Sequence, residues 1–273
     1  MDRQTLVDTI RSKSSFLCVG LDPDPARIPE HLGQGPEAVL AFNRAIIEAT
    51  SDLAVAYKPN VAFYEALGSE GWQVLEETMS AIPAGCLRIA DAKRGDIGNT
   101  ATRYAEAAFN VWGADAITVA PYMGRDSVEP FLAFEDKWTI LLAATSNPGA
   151  EDFEFHGDAA GMPLWRRVLE VSSTYSGADR LMYVVGATRP AWLAEVRAVV
   201  PNRFLLVPGV GAQGGTLEAV CAAGWSQELA GGLLVNVGRS LLYASDGMDF
   251  AEAARKEAMR LQSAMASELA RSR

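Results

Sequence analysis

Short apolar runs rich in β-branched residues alternate along the chain with longer segments in which apolar residues recur every three or four positions. The short runs predict buried strands, and the three-and-four spacing predicts helices that pack one face against a sheet. The predicted strands are Phe16–Leu21, Val55–Pro59, Leu87–Asp91, Ala116–Ala120, Thr139–Ala144, Leu181–Val185, Phe204–Val207 and Gly232–Val237.

Helical faces lie between and after these strands. The clearest are Trp72, Leu75, Met79 and Ile82; Ala101, Tyr104, Ala105, Ala108 and Trp112; and Phe250, Ala254, Leu261, Met265 and Leu269. Because no Ser/Gly-rich or Pro-rich linker divides the units, they favour a single parallel (β/α)8 barrel, a TIM barrel, over an open doubly wound sheet. We expect one domain over residues 1–273, with an extended connection after the fifth strand at about 146–179 that contains a helix over Trp165–Val171.

Polar and turn residues stand at several predicted strand ends. The dipeptides there are Asp22-Pro23, Lys58-Pro59 and Pro208-Gly209. In a parallel barrel the carboxyl-terminal ends form the face at which barrel enzymes carry out their chemistry. Asp91 and Lys93 are two residues apart at the end of the third strand, so their side chains point to the same face. With Asp22 and Lys58 at the same mouth, the pattern predicts an alternating cluster of carboxylates and ammonium groups.

The exit from the third strand adds further polar residues. Gly95 permits a sharp exit, after which Asp96 and Thr100 are expected to share a face on the first turn of the next helix. Taken singly, Asp91 and Lys93 could be a structural ion pair and Asp96 a helix cap. A surface ion pair contributes only about 0–1 kcal/mol, so stability gives little reason to collect several charges at strand ends. The joint arrangement favours chemistry.

The composition of the chain argues against several classes of binding partner and metal site. The formal net charge of −10 argues against nucleic acid and anionic membranes, which would call for a basic surface. Cys18, Cys86 and Cys221 are widely spaced and odd in number, which is typical of reduced thiols in a cytoplasmic protein. The two histidines, His31 and His156, provide little for a zinc site, and no apolar run reaches the ~18 residues of a membrane span.

A glycine and an arginine follow the eighth strand in the run Val235-Asn-Val-Gly238-Arg239-Ser240. At the start of a helix, backbone N–H groups and a guanidinium can converge on an anion, and TIM barrels often bind phosphate near this end. Without further information, Gly238 could equally be a tight turn and Arg239 a surface residue.

Six segments together carry a resemblance to a known family. In chain order they are Val19-Gly-Leu-Asp22-Pro, Tyr57-Lys58-Pro-Asn, Asp91-Ala-Lys93-Arg-Gly-Asp96-Ile97-Gly-Asn-Thr100, Ala144-Thr-Ser146-Asn-Pro-Gly, Val207-Pro-Gly-Val-Gly-Ala-Gln213 and Asn236-Val-Gly238-Arg239. They resemble the orotidine 5′-phosphate decarboxylase family over about residues 10–245, and six matches in order are far more specific than one short motif. The long fifth connection resembles the bacterial branch with expanded loops.

The resemblance implies decarboxylation of orotidine 5′-monophosphate to uridine 5′-monophosphate and CO2, without metal or organic cofactor, as the last step of de novo pyrimidine nucleotide synthesis. Lys93 would protonate C6 of the pyrimidine after CO2 leaves, with Asp91 beside the substrate carboxylate and Lys58 and Asp96 completing the charge array. The implied substrate-binding residues are Asp22, Lys58, Ile97, Thr100, Ser146, Pro208, Gln213, Gly238 and Arg239.

The resemblance also implies finer roles. Asp22 and Lys58 would bind ribose hydroxyls, Ser146 the pyrimidine edge, and Gln213 both phosphate and pyrimidine. Asp96, Ile97 and Thr100 would reach into a neighbouring subunit's site, so a homodimer is expected. The stretch Gly209–Gly215 is short, which leaves the residues that cover the phosphate undefined, and the acidic loop Glu151–Asp158 has no derived role.

Two alternatives stay open. A sugar-phosphate decarboxylase or aldolase of the same superfamily would share an Asp-x-Lys-x-x-Asp core but use Mg²⁺ to stabilise an enediolate. Lys58, where such an enzyme would need an acidic ligand, argues against it. A barrel that only binds a nucleotide is the second alternative, and it would not require Lys93.

Overall fold

The computed structural model describes residues 1–211 and 214–271. Within those ranges, eight parallel strands close into a barrel in chain order, and β1 pairs with β8. The strands are β1 Leu17–Leu21, β2 Ala56–Pro59, β3 Leu87–Arg94, β4 Ala116–Val119, β5 Trp138–Ala144, β6 Leu181–Val185, β7 Leu205–Pro208 and β8 Leu233–Val237. The predicted (β/α)8 barrel is confirmed.

Helices follow the strands around the outside of the barrel. They are α1 Arg3–Lys13, α2 Gly35–Thr50, α3 Val61–Glu65, α4 Ser69–Ala81, α5 Gly98–Glu106, α6 Glu129–Leu132, α7 Leu164–Ser172, α8 Pro190–Val199, α9 Leu217–Gly224, α10 Arg239–Leu242 and α11 Phe250–Arg271. A π-helical turn, Ala107–Val111, continues α5. The connection from β5 to β6 contains a 3-10 turn at Pro148–Asp152, then α7, then a second 3-10 turn at Ala178–Arg180.

Burial explains why the strands read as continuous apolar runs. Every residue of β1, β2, β4 and β6 is buried, as expected for strands that are covered by helices outside and by packed side chains inside. Where a tyrosine enters this core, its hydroxyl is paired: Tyr57 with Thr50 at 2.7 Å and Tyr183 with Ser172 at 2.9 Å. These bonds tie α2 and α7 to the barrel wall.

The helix α1 covers the amino-terminal end of the barrel. Asp2 caps it by accepting a hydrogen bond from Thr5 N at 2.8 Å. Arg3 donates to the carbonyls of Asp179 and Asn202, which precede β6 and β7. The carboxyl-terminal mouth stays open, and the charged residues lie there. No helix in the described ranges combines the length and the apolar character needed to cross a bilayer.

Candidate active site

Four charged side chains meet at the carboxyl-terminal mouth. Lys58 Nζ, from β2, lies 2.6 Å from Asp91 Oδ2, and Lys93 Nζ lies 2.6 Å from Asp91 Oδ1. One carboxylate in the second half of β3 is therefore held between two ammonium groups. Asp22, just past β1, has its Oδ1 4.0 Å from Lys58 Nζ. The structure thus brings together the carboxylates and ammonium groups that the strand ends predicted.

Burial and charge act in opposite directions on this array. Burial alone would raise the pKa of Asp91, but Lys58 and Lys93, through charge and hydrogen bonds, hold it well below its ordinary value. Burial alone would lower the pKa of Lys58, whereas Asp91 and Asp22 raise it above its ordinary value. Burial raises the pKa of Asp22, and Lys58 offsets part of that effect. At neutral pH, Asp91 is ionised and Lys58 is protonated.

The end of β3 is irregular. Its register with β4 shifts between Ala90 and Arg94, and Lys93 adopts a left-handed conformation with φ +47°, which is uncommon for a residue with a Cβ. The contact between Lys93 and Asp91 is thus formed at a bulge and not along a regular strand. Gly95, expected to permit a sharp exit, does not adopt a positive φ, whereas Lys93 does.

Asp96, Ile97 and Thr100 lie beyond this bulge. The expectation that Asp96 and Thr100 share the first helical turn is wrong, because Ile97 is extended and α5 begins only at Gly98. Asp96 Oδ1 accepts a hydrogen bond from Ile97 N at 2.8 Å. Ile97 is 52% exposed, Thr100 is also exposed, and none of the three lines the cavity at the barrel mouth.

A cavity of about 620 Å³ opens above the charged array. The predicted site residues that line it are Asp22, Lys58, Asp91, Lys93, Ser146, Pro208, Gly238 and Arg239. Asp22 Oδ1 is buried and has no hydrogen-bond partner among the described residues, and the nearest cation, Lys58 Nζ, lies 4.0 Å away. Gln213 lies outside the residues that the structure describes.

One end of the cavity combines a cationic side chain with backbone N–H groups. Gly238 and Arg239 line it after β8, and Arg239 is the first residue of α10. Because α10 has only four residues, its dipole is small, and attraction of an anion depends on the guanidinium and nearby N–H groups. A second arginine, Arg27, also lines the cavity, with its guanidinium carbon 3.8 Å above the ring of Tyr243.

The family model described as orotidine 5′-phosphate decarboxylase / HUMPS matches residues 15–256. A Flavobacterium johnsoniae protein named orotidine 5′-phosphate decarboxylase is 54% identical over 269 residues, which cover 97% of each chain. One from Christiangramia forsetii is 53% identical, covering 98% of this chain and 99% of its own. The solved Leishmania donovani OMP decarboxylase superposes with a TM-score of 0.82 at 39% identity, covering 96% of this chain and 99% of that one.

The chain belongs to the orotidine 5′-phosphate decarboxylase / HUMPS family. The resemblance found in the sequence is therefore confirmed, and so is the prediction that the chain is a carboxy-lyase. The match spans the whole barrel, from before β1 to the first turns of α11.

Thr118 also belongs to the barrel mouth, although the sequence did not predict it. It lies on β4, lines the cavity, and donates a hydrogen bond to Asp91 Oδ1 at 3.0 Å. Its Oγ1 also accepts a hydrogen bond from Lys93 N at 2.9 Å. The available signal was a single hydroxyl in an otherwise apolar strand, because a buried polar group is stable only when it is paired.

Glu154 is the second missed residue, and it gives part of the acidic loop a structural role. It lines the cavity, and its carboxylate accepts hydrogen bonds from Thr145 N at 2.6 Å and from Thr145 Oγ1 at 2.8 Å. Thr145 Oγ1 also lies 2.6 Å from Asn147 Oδ1. The loop is thus fastened to the end of β5, next to Ser146. No spacing in the sequence pointed to this contact, which joins residues across an irregular loop.

Proposed function

We propose that the chain decarboxylates orotidine 5′-monophosphate to uridine 5′-monophosphate and CO2, the last step of de novo pyrimidine nucleotide synthesis. The observation that carries the proposal is the carboxylate of Asp91 held between the ammonium groups of Lys58 and Lys93 at the barrel mouth. Relatives that are 53–54% identical over nearly their whole length bear the name of this activity.

Fixed positive charge is what this reaction needs. When the bond between C6 and the carboxylate breaks, its electron pair stays on C6, where no conventional electron sink exists, and CO2 leaves. A preorganised cation close to C6 lowers the energy of that carbanion. Two unit charges about 4 Å apart interact by about 4 kcal/mol at an effective dielectric of 20, so one lysine can supply a substantial part of the stabilisation.

Lys93 is the residue we assign to this role. Its side chain lines the cavity and is 50% exposed, whereas that of Lys58 is almost fully buried. Lys93 Nζ would donate a proton to C6 and become a neutral amine, which regains its proton from solvent. Asp91 orients the ammonium and would lie beside the substrate carboxylate, and Lys58 keeps Asp91 ionised.

Other residues of the cavity are suited to the phosphate and the ribose of the nucleotide. Gly238 and Arg239 would bind the phosphate, and Asp22 would accept hydrogen bonds from ribose hydroxyls together with Lys58. The further contacts we propose come from Ser146, Pro208 and Gln213. The negative net charge of the chain makes a local cationic end necessary for an anionic substrate.

We further propose that two subunits form a homodimer in which Asp96, Ile97 and Thr100 complete the neighbouring site. Asp96 would complete the charge array there. Apolar side chains beside the mouth support an interface at this position: Ile97 is 52% and Tyr122 82% exposed. We also keep two predictions from the sequence: that residues 1–273 form one domain and that the protein is cytoplasmic.

The magnesium-dependent alternative is disfavoured by the position of Lys58. Its ammonium lies 2.6 Å from Asp91 and 4.0 Å from Asp22, where a divalent cation would have to bind between the two carboxylates. A barrel that only binds a nucleotide is disfavoured by Lys93. Its backbone is held in a left-handed conformation that costs energy, and simple binding gives no reason to hold a lysine in that way.

The test is product analysis in D2O. The enzyme is incubated with orotidine 5′-monophosphate, and the product is followed by proton NMR. We expect uridine 5′-monophosphate with deuterium at C6, because the ammonium of Lys93 exchanges with solvent before it donates. A folded protein that leaves the nucleotide unchanged would contradict the proposed reaction.

A further inference from the structure

The hydroxyl of Thr118 joins two parts of the charged array. Thr118 is 1% exposed, and its Oγ1 accepts from Lys93 N at 2.9 Å while it donates to Asp91 Oδ1 at 3.0 Å. A hydroxyl has one hydrogen, so the bond accepted from the amide leaves that hydrogen for the carboxylate. The direction of both bonds is therefore fixed.

These bonds close a ring that contains the whole side chain of Lys93. Lys93 Nζ bonds to the same oxygen, Asp91 Oδ1, at 2.6 Å. The main chain and the ammonium of Lys93 are thus both tied to one unit made of Thr118 and Asp91. The Lys93 side chain is half exposed, and an exposed lysine without such anchors samples many rotamers.

The backbone of Lys93 also depends on this contact. With φ +47°, Lys93 has a conformation that persists only when its surroundings hold it. The hydrogen bond from Lys93 N to Thr118 is one such restraint, and it lies at the bulge where the pairing of β3 with β4 shifts register. Valine has nearly the same shape as threonine and would also pack in β4. Packing alone therefore does not explain why position 118 carries a hydroxyl.

We propose that Thr118 is a positioning residue for the decarboxylation proposed above, and the assignment rests on that proposed function. Its hydroxyl holds Asp91 and the main chain of Lys93 so that the ammonium stays directed at C6. It acts on Lys93 and on Asp91 Oδ1, whereas Lys58, which would bind ribose, is held by the other oxygen, Asp91 Oδ2, and the phosphate-binding groups lie after β8. Loss of the hydroxyl should therefore lower kcat and leave KM nearly unchanged.

The experiment compares Thr118→Val with Thr118→Ser. We expect Thr118→Val to lower kcat about 10- to 100-fold, the loss that a small misplacement of a reacting group produces. KM should stay within about threefold, because ground-state contacts are intact. Thr118→Ser, which keeps the hydroxyl, should restore most of kcat.

Thr139 offers a matched control on the neighbouring strand. It is also fully buried, but its hydroxyl has no hydrogen-bond partner among the described residues. Thr139→Val should leave kcat and KM close to wild type. This control separates loss of the Thr118 hydroxyl from a general effect of placing valine in the barrel wall.

Several results would overturn the assignment. Wild-type kcat in Thr118→Val, equal losses in the valine and serine variants, or a rise in KM with unchanged kcat would each do so. Should circular dichroism show that Thr118→Val is unfolded, Thr118→Ala against Thr118→Ser makes the same comparison. Absence of turnover in the wild type would instead overturn the proposed function, and with it the role of Thr118.

Discussion

Asp91 is the residue on which the charges of the mouth depend. Its carboxylate bonds to Lys58, Lys93 and Thr118, each from a different position around the barrel mouth. Lys58 is 4% exposed and would be a buried charge without a close partner if Asp91 were neutral, because Asp22 is 4.0 Å away. Removal of one partner from a buried ion pair costs more than the pair itself contributes.

We predict that Asp91→Asn lowers the free energy of unfolding by about 3–5 kcal/mol at pH 7. The size of this loss should depend on pH. The folded-state pKa of Asp91 lies below its ordinary value, so its contribution is present above about pH 4 and disappears as pH falls through the folded pKa. Because pH 3.5 lies below the unfolded pKa but still above the folded one, the difference between wild type and variant should shrink by about 0.7 kcal/mol from pH 7 to pH 3.5 in urea unfolding.

Asp136, with a side chain that is 81% exposed, is the matched control for that measurement. Asp136→Asn should change stability little at either pH, as is usual for surface substitutions. A loss in Asp91→Asn that is equal at both pH values would show that the effect is one of packing and not of the ionised carboxylate.

The connection between β5 and β6 is held in place by contacts with the elements on either side of it. Glu154 fastens it to Thr145, and a contact of Glu151 with Arg189 fastens it to the start of α8. Phe155 continues this contact, with its ring centroid 5.0 Å from that of Trp192. These contacts place one wall of the cavity beside Ser146, the residue proposed to bind the pyrimidine edge.

We predict that Glu154→Ala raises KM for orotidine 5′-monophosphate about tenfold and lowers kcat less. Thr145 N loses a charge-assisted acceptor, and bonds of that kind contribute about 1.5–3 kcal/mol. Asp152→Ala, an exposed carboxylate on the same loop, should leave both constants close to wild type. If both substitutions changed KM and kcat equally in steady-state kinetics, the negative charge of the loop, and not the bond to Thr145, would be the cause.

The sequence predicted the elements well because a parallel barrel buries both faces of its strands. Its runs matched most strand ends to within one residue, but β3 continues to Arg94, three residues past the predicted end. That extension contains the bulge and the left-handed Lys93, which depend on tertiary bonds and leave no periodic signal. The same holds for Thr118 and Glu154, whose partners are distant in the sequence or across an irregular loop.

The proposed homodimer would supply a second subunit to each barrel mouth. Asp96, Ile97 and Thr100 do not line the mouth of their own chain, although the run that contains them begins at Asp91. A loop that leaves its own site and carries exposed apolar residues is suited to an isologous interface, in which each subunit supplies the same residues to the other.

We predict that inactive Lys93→Ala and Asp96→Ala subunits complement each other when they are mixed. A mixed dimer pairs an intact Lys93 with an intact Asp96 from the other chain in one of its two sites. Random reassociation makes about half of the dimers mixed, so about one quarter of wild-type activity is expected. If Asp96 served its own subunit, the mixture would stay as inactive as either variant alone.

Turnover of the nucleotide should depend on Lys93 and should need no metal ion. The decisive assay follows the loss of orotate-type ultraviolet absorbance when EDTA-treated protein is mixed with orotidine 5′-monophosphate, with Lys93→Ala in parallel. We expect rapid loss of absorbance with wild type and none with a folded Lys93→Ala. No loss with folded wild type, or near-normal loss with the variant, would contradict it.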